Sequence, residues 1–77
     1  MSQLHRITHN PEVMGGKACI RGMRVTASLV LGMLAAGRTV EEILDDYPYL
    51  EREDITACLE YAAYRLQERE IPIARAS

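Results

Sequence analysis

The chain has 77 residues, too few for a second hydrophobic core, since chains of this size bury only about 60 to 65% of the surface they expose unfolded. Hydrophobic residues make up 48% of it, but there is no Trp, no Phe and only four Tyr, so the core must be built from Leu, Ile, Val, Met and Ala, which favours helices. The net charge of −2 conceals a split: residues 1–38 carry five cations (Arg6, Lys17, Arg21, Arg24, Arg38) against Glu12 alone, whereas residues 39–77 carry ten acids against four arginines, so two faces with different partners are expected.

From Leu4 to Thr26 the signals are extended and turn-like. Asn10-Pro11 and Gly15-Gly16 are turn dipeptides, and Gly22 separates the apolar runs Ala18-Cys19-Ile20 and Met23-Arg24-Val25. Short strands are predicted at Arg6–Thr8, Ala18–Ile20 and Met23–Val25, the last two antiparallel across Arg21-Gly22. Thr26 or Ser28 can cap a first helix whose face is Leu29, Val30, Met33 and Leu34, with Gly37 as its stop. Thr39-Val40-Glu41-Glu42 has the spacing of a capping box and opens a short helix that buries Val40, Ile43 and Leu44 and finishes before Pro48. A third helix is predicted from about Glu51–Glu53 to Glu68, with a core stripe of Ile55, Cys58, Leu59, Ala62, Ala63 and Leu66. Pro72 prevents continuation, leaving residues 70–77 as a tail.

The expected architecture is therefore mainly α in a single domain: an extended or β N-terminal segment (1–25), a three-helix core of helix-turn-helix type (26–69) and a C-terminal tail (70–77). The same pattern fits a generic three-helix bundle. Cys19 and Cys58 read as small buried apolar residues in a reducing compartment. No apolar run reaches the roughly 18 residues that span a bilayer, and Met1 to Arg6 has no apolar run of signal-peptide length, so a cytoplasmic, non-membrane protein is expected. Small cores seldom supply more than about 3 to 5 kcal/mol, which makes a homodimer or an obligate partner the expectation.

The run from His9 to Val25, HNPEVMGGKACIRGMRV, resembles the opening of the bacterial family called domain of unknown function 433, which reads approximately Pro-x-hydrophobic-x-Gly-Gly-Lys-Pro-x-Ile-Arg-Gly-Thr-Arg. Later landmarks of that family appear as Ala36-Gly37, the acidic stretch Glu41 to Asp46, Tyr47-Pro48 and Glu53-Asp54-Ile55. The resemblance covers about residues 6 to 66. It implies a homeodomain-like helix-turn-helix fold, dimerisation, and a role as the VapB-like antitoxin beside a PIN-like ribonuclease toxin. Ala18 replaces the family's usual Pro and Met23 its usual Thr, and Glu51 stands where a Ser or Thr cap is common, a change that weakens the start of the third helix by about 0.5 to 2 kcal/mol.

For nucleic acid, the candidate residues are Lys17, Arg21, Arg24 and Arg38, whose closely spaced cations suit phosphates or guanine edges. Their structural alternative is ion pairing with Glu42, Asp45 or Asp46. If the third helix enters a major groove, Arg52 and Thr56 lie outward with Glu53, Ala57 and Glu60, although Glu53 and Asp54 oppose phosphate contact. For a protein partner, the candidates are Tyr64, Arg69, Ile71, Ile73 and Arg75, the tail segment being suited to a groove and Arg69 or Arg75 to the carboxylates of a ribonuclease site. His5 and His9 sit in a turn-rich segment without nearby Cys, so no metal, cofactor or catalytic residue is expected. Two functions remain open: an antitoxin that binds a toxin ribonuclease and, as a dimer, operator DNA, or a small interaction module without DNA binding.

Overall fold

A computed structural model describes residues 2–68. A one-turn 3-10 segment, Leu4–Arg6, leads into strand β1 (Ile7–His9), which pairs antiparallel with β2 (Ala18–Ile20) in the register Ile7 to Ile20, Thr8 to Cys19 and His9 to Ala18. Three helices follow: α1 (Ala27–Ala35), α2 (Val40–Asp46) and α3 (Arg52–Glu68). Each helix packs on the other two, and α3 also carries the Leu4–Arg6 turn and β1 along its side. Among the described residues, no helix is long and apolar enough to cross a membrane.

The turn chemistry sits where the sequence places it. Asn10 accepts the Val13 amide through its carbonyl and the Glu12 amide through its side chain, the two bonds of an Asx-type turn. Arg21 and Gly22 both have positive φ, 46° and 73°, and the Met23 amide closes the turn on the Ile20 carbonyl at 2.8 Å. The strand expected at Met23–Val25 is reduced to a bridge between Cys19 and Thr26 and the bond from the Ile20 amide to the Val25 carbonyl, so the ladder partner of β2 is β1. The chain has no room for more, because Thr26 is already the N-cap of α1 and accepts the Leu29 amide at 3.1 Å. Of the two capping candidates, Thr26 fills the role and Ser28 lies within the first turn.

At the other end of α1, Gly37 takes φ 94°, the Arg38 amide reaches the Met33 carbonyl and the Gly37 amide reaches that of Leu34, a Schellman closure. The capping box of α2 is complete, Thr39 Oγ1 accepting the Glu42 amide at 3.1 Å and Glu42 Oε1 accepting the Thr39 amide at 2.9 Å.

The core joins Ile20, Val25, Ala27, Val30, Ile43, Leu50, Ile55 and Cys58. Two of the predicted stripes are turned. On α1, Leu29 is exposed, and Ala27 and Val30 are the buried positions. On α3 the buried residues are Asp54, Ile55, Ala57 and Cys58, whereas Leu59, Ala63 and Leu66 are exposed. The inward face thus runs through Asp54, Ala57, Cys58 and the half-buried Tyr61, a helical i, i+3, i+4, i+7 set displaced toward the N-terminal segment that it carries. Cys19 and Cys58 are both buried free thiols, and burial pushes the Cys58 thiol up to about 11.

Candidate interaction surface

The arginines of the front half are arranged around one carboxylate. Asp54 is 0% exposed. Its Oδ1 accepts from Arg6 Nη1 at 2.9 Å and Arg21 Nε at 3.0 Å, and its Oδ2 accepts from Arg21 Nη2 at 2.7 Å and the Glu51 amide at 2.8 Å. Arg21 Nη2 also donates to the Tyr49 carbonyl, and Arg6 Nη1 to Glu51 Oε1 at 2.7 Å. Burial alone would raise the Asp54 pKa, but the Arg21 hydrogen bonds, the Glu51 amide and Arg6 together outweigh it and hold the carboxyl below the ordinary aspartate value. The loss of a Ser or Thr cap at position 51 is met in the same way, since Asp54 reaches back to satisfy the Glu51 amide as the N3 carboxylate of a capping box does.

This arrangement redistributes the cations expected to meet nucleic acid. Arg21 faces Asp54. Arg38 is bonded to Asp46 and lies 3.6 Å from Glu42, as its structural alternative required, and Arg52 is held by Glu41 at 2.6 Å. Lys17 and Arg24 are exposed and make no ion pair among the described residues. Thr56 is exposed and its hydroxyl donates back to the Arg52 carbonyl at 3.4 Å. Of the six residues, Lys17 and Arg24 make no ion pair among the described residues, Arg21, Arg38 and Arg52 are each paired with a carboxylate, and Thr56 bonds back to its own helix.

What the fold does leave uncovered is the outer side of the second half of α3. Leu59 is 51% exposed and Leu66 67%, and Ala63 between them is exposed on the same side, while Tyr64, 46% exposed, projects from another side of the helix. The Glu68 carboxylate one turn further along the helix pushes the Tyr64 phenol pKa up. Of the residues expected to meet a protein partner, Tyr64 is exposed on the flank of α3, about 140° around the helix from Leu59, while Arg69, Ile71, Ile73 and Arg75 fall outside the described residues.

Sequence reasoning passed over Asp54 and Arg6. A signal existed in the Glu51-x-x-Asp54 spacing, which is that of an N-cap and its N3 acceptor, and in the position of Asp54 beside Ile55 on the inner side of the helix.

Against known proteins, the family model described as "Protein of unknown function (DUF433)" matches residues 7–62. The uncharacterized protein y4eO of Sinorhizobium fredii is 38% identical over 56 residues, 73% of this chain and 25% of that protein. The crystal structure of a DUF433 member from Anabaena variabilis superposes with a TM-score of 0.75 at 29% identity, over 84% of this chain and 64% of the other. The chain thus spans about a quarter of the length of the curated relative and just under two thirds of the solved one.

Proposed function

Because the chain belongs to the DUF433 family, we propose that it is the antitoxin of a type II toxin-antitoxin pair, a VapB-like, non-catalytic module that binds and neutralises a PIN-like ribonuclease. The observation that carries this reading is the uncovered apolar face of α3, with Leu59, Ala63 and Leu66 outward on one side of a helix in a 77-residue chain. Clustered aliphatic side chains on one side of an exposed helix make the kind of patch that a partner protein covers. A helix presenting such anchors at i, i+4 and i+7, here Leu59, Ala63 and Leu66, suits a groove on the partner.

Operator binding by a homeodomain-like helix-turn-helix dimer is a second reading, favoured by the exposed Lys17 and Arg24. In this form the backbone contacts come from the hairpin rather than from α3, whose Arg52 is engaged by Glu41 and whose first turn is acidic.

The test is co-expression with the product of the neighbouring gene, which this reading requires to be a PIN-like ribonuclease, followed by affinity measurement on Leu59→Glu/Leu66→Glu. Loss of the complex with retained helicity supports the reading; undiminished affinity removes it. The DNA arm is a mobility shift on the upstream operator with Lys17→Glu/Arg24→Glu. A salt-sensitive shift that the double variant abolishes supports operator contact, and no shift at low salt, with or without toxin, leaves an interaction module alone.

A further inference from the structure

We propose that the cleft between the start of β2, the first two turns of α1 and the middle of α3 binds a small aliphatic monocarboxylate. The cleft has a volume of about 240 Å³ and is lined by Lys17, Ala18, Ala27, Ser28, Leu31 and Tyr61. At the roughly 30 Å³ that a water molecule occupies in the liquid, it has room for about eight heavy atoms. Its walls are methyl groups, a leucine side chain and a phenol ring, so the body of the occupant is apolar.

Its rim fixes the charge. Lys17 is exposed and has no ion-pair partner among the described residues, and no carboxylate lines the cleft. An anion entering there meets one uncommitted cation and no repulsion. The Ser28 hydroxyl supplies a further polar group, and Tyr61 brings its hydroxyl, which lies 3.2 Å from His9 Nε2. Ser28 is also in the first turn of α1, where an amide has no intrahelical acceptor, while the Thr26 hydroxyl is already engaged by the Leu29 amide. One cation against apolar walls suits a monoanion with a short hydrocarbon chain. A dianionic phosphate would lose more hydration here than a single lysine returns, and an amine would be repelled by Lys17.

The site does not rest on the antitoxin reading, and its test needs no toxin. The ¹⁵N-labelled chain is titrated with 4-methylpentanoate, which has eight heavy atoms, and in parallel with its neutral isostere 4-methylpentanamide. Amide shifts are expected to converge on Lys17, Ala18, Ala27 and Ser28 and to saturate on the order of millimolar. Binding of the carboxylate is expected to exceed that of the amide by about fivefold, to fall by about the same factor in Lys17→Met, and to return in Lys17→Arg, as an exposed charge pair dictates. Because Lys17 is exposed and unpaired, the variant's spectrum away from the cleft should be unchanged. Equal affinity for acid and amide, indifference to Lys17→Met, or shifts centred elsewhere would overturn the proposal.

Discussion

The two halves of α3 share one helix and one apolar spacing, yet they have opposite fates. From Arg52 to Cys58 the helix is enclosed: Ile55 and Cys58 enter the core, and Asp54 is covered by two arginines from the N-terminal segment. Of the apolar residues from Leu59 to Glu68, only Tyr61 and Ala62 keep partial cover, and Leu59, Ala63, Tyr64 and Leu66 stand in solvent. The difference lies in what each half can touch. The first half is enclosed by the core and by the arginines of the N-terminal segment, whereas the second touches the fold along one side, through Glu60 to the Gln3 amide and Tyr61 to His9. Periodicity therefore marks which residues can share a face, while the neighbouring elements decide where along the helix that face becomes core.

The strongest way to test this contrast is within the enclosed half. Ile55→Ala should cost about 2 to 5 kcal/mol, the range for truncating a buried aliphatic side chain in a packed core, which is most of what a small domain possesses. Urea denaturation measures it directly, and a cost below about 1 kcal/mol would mean that the core around Ile55 is loosely packed.

Asp54→Asn comes next, at about 3 kcal/mol. Removing one member of a buried ion pair costs about 3 to 5 kcal/mol, and here the arginines retain some solvent, with side-chain exposures of 19% for Arg6 and 37% for Arg21, so the lower end applies. The pH dependence carries the signature. The folded-state pKa of Asp54 lies below its ordinary value of 3.8, so its stabilisation is complete above the aspartate range and is lost as pH falls through the folded value. The stability gap between the native chain and Asp54→Asn should hold steady near neutrality and narrow below about pH 4. A constant gap down to about pH 2 would assign the effect of the substitution to packing instead of charge.

Much of the fold is readable in the sequence because its signals are local. Thr39 and Glu42 cap one another, Gly37 and Gly22 take positive φ, and Asn10-Pro11 turns the chain, each through residues within a few positions. The third strand and the α3 stripe were misjudged because both depend on distant partners. Whether Met23–Val25 extends a ladder depends on how soon Thr26 starts α1, and the inner face of α3 is set by Arg6 and Arg21, 48 and 33 residues away. For the same reason a cation count in the front half does not reveal that Arg21 is committed to a carboxylate whereas Lys17 is not.

A smaller effect tests the local signals themselves. Thr39→Ala removes the hydroxyl that accepts the Glu42 amide and should lower stability by about 1 kcal/mol, read as a shift of the urea midpoint at unchanged slope. Thr39→Asp, which keeps an acceptor at the N-cap, should recover most of it.

The smallest expected effect belongs to the open half of α3. Leu59→Ser and Leu66→Ser remove large apolar groups, but those groups are half or more in solvent, so each should change the stability of the isolated chain by no more than about 0.5 kcal/mol. That near-silence is informative when set beside Ile55→Ala, because the two sites lie on one helix and differ mainly in enclosure. If Leu66→Ser instead costs as much as a core truncation at low protein concentration, and the cost grows with concentration, the face is already buried between copies of the chain. A silent result in the isolated chain, together with lost affinity for the proposed partner protein, would place the value of these leucines in recognition and not in folding.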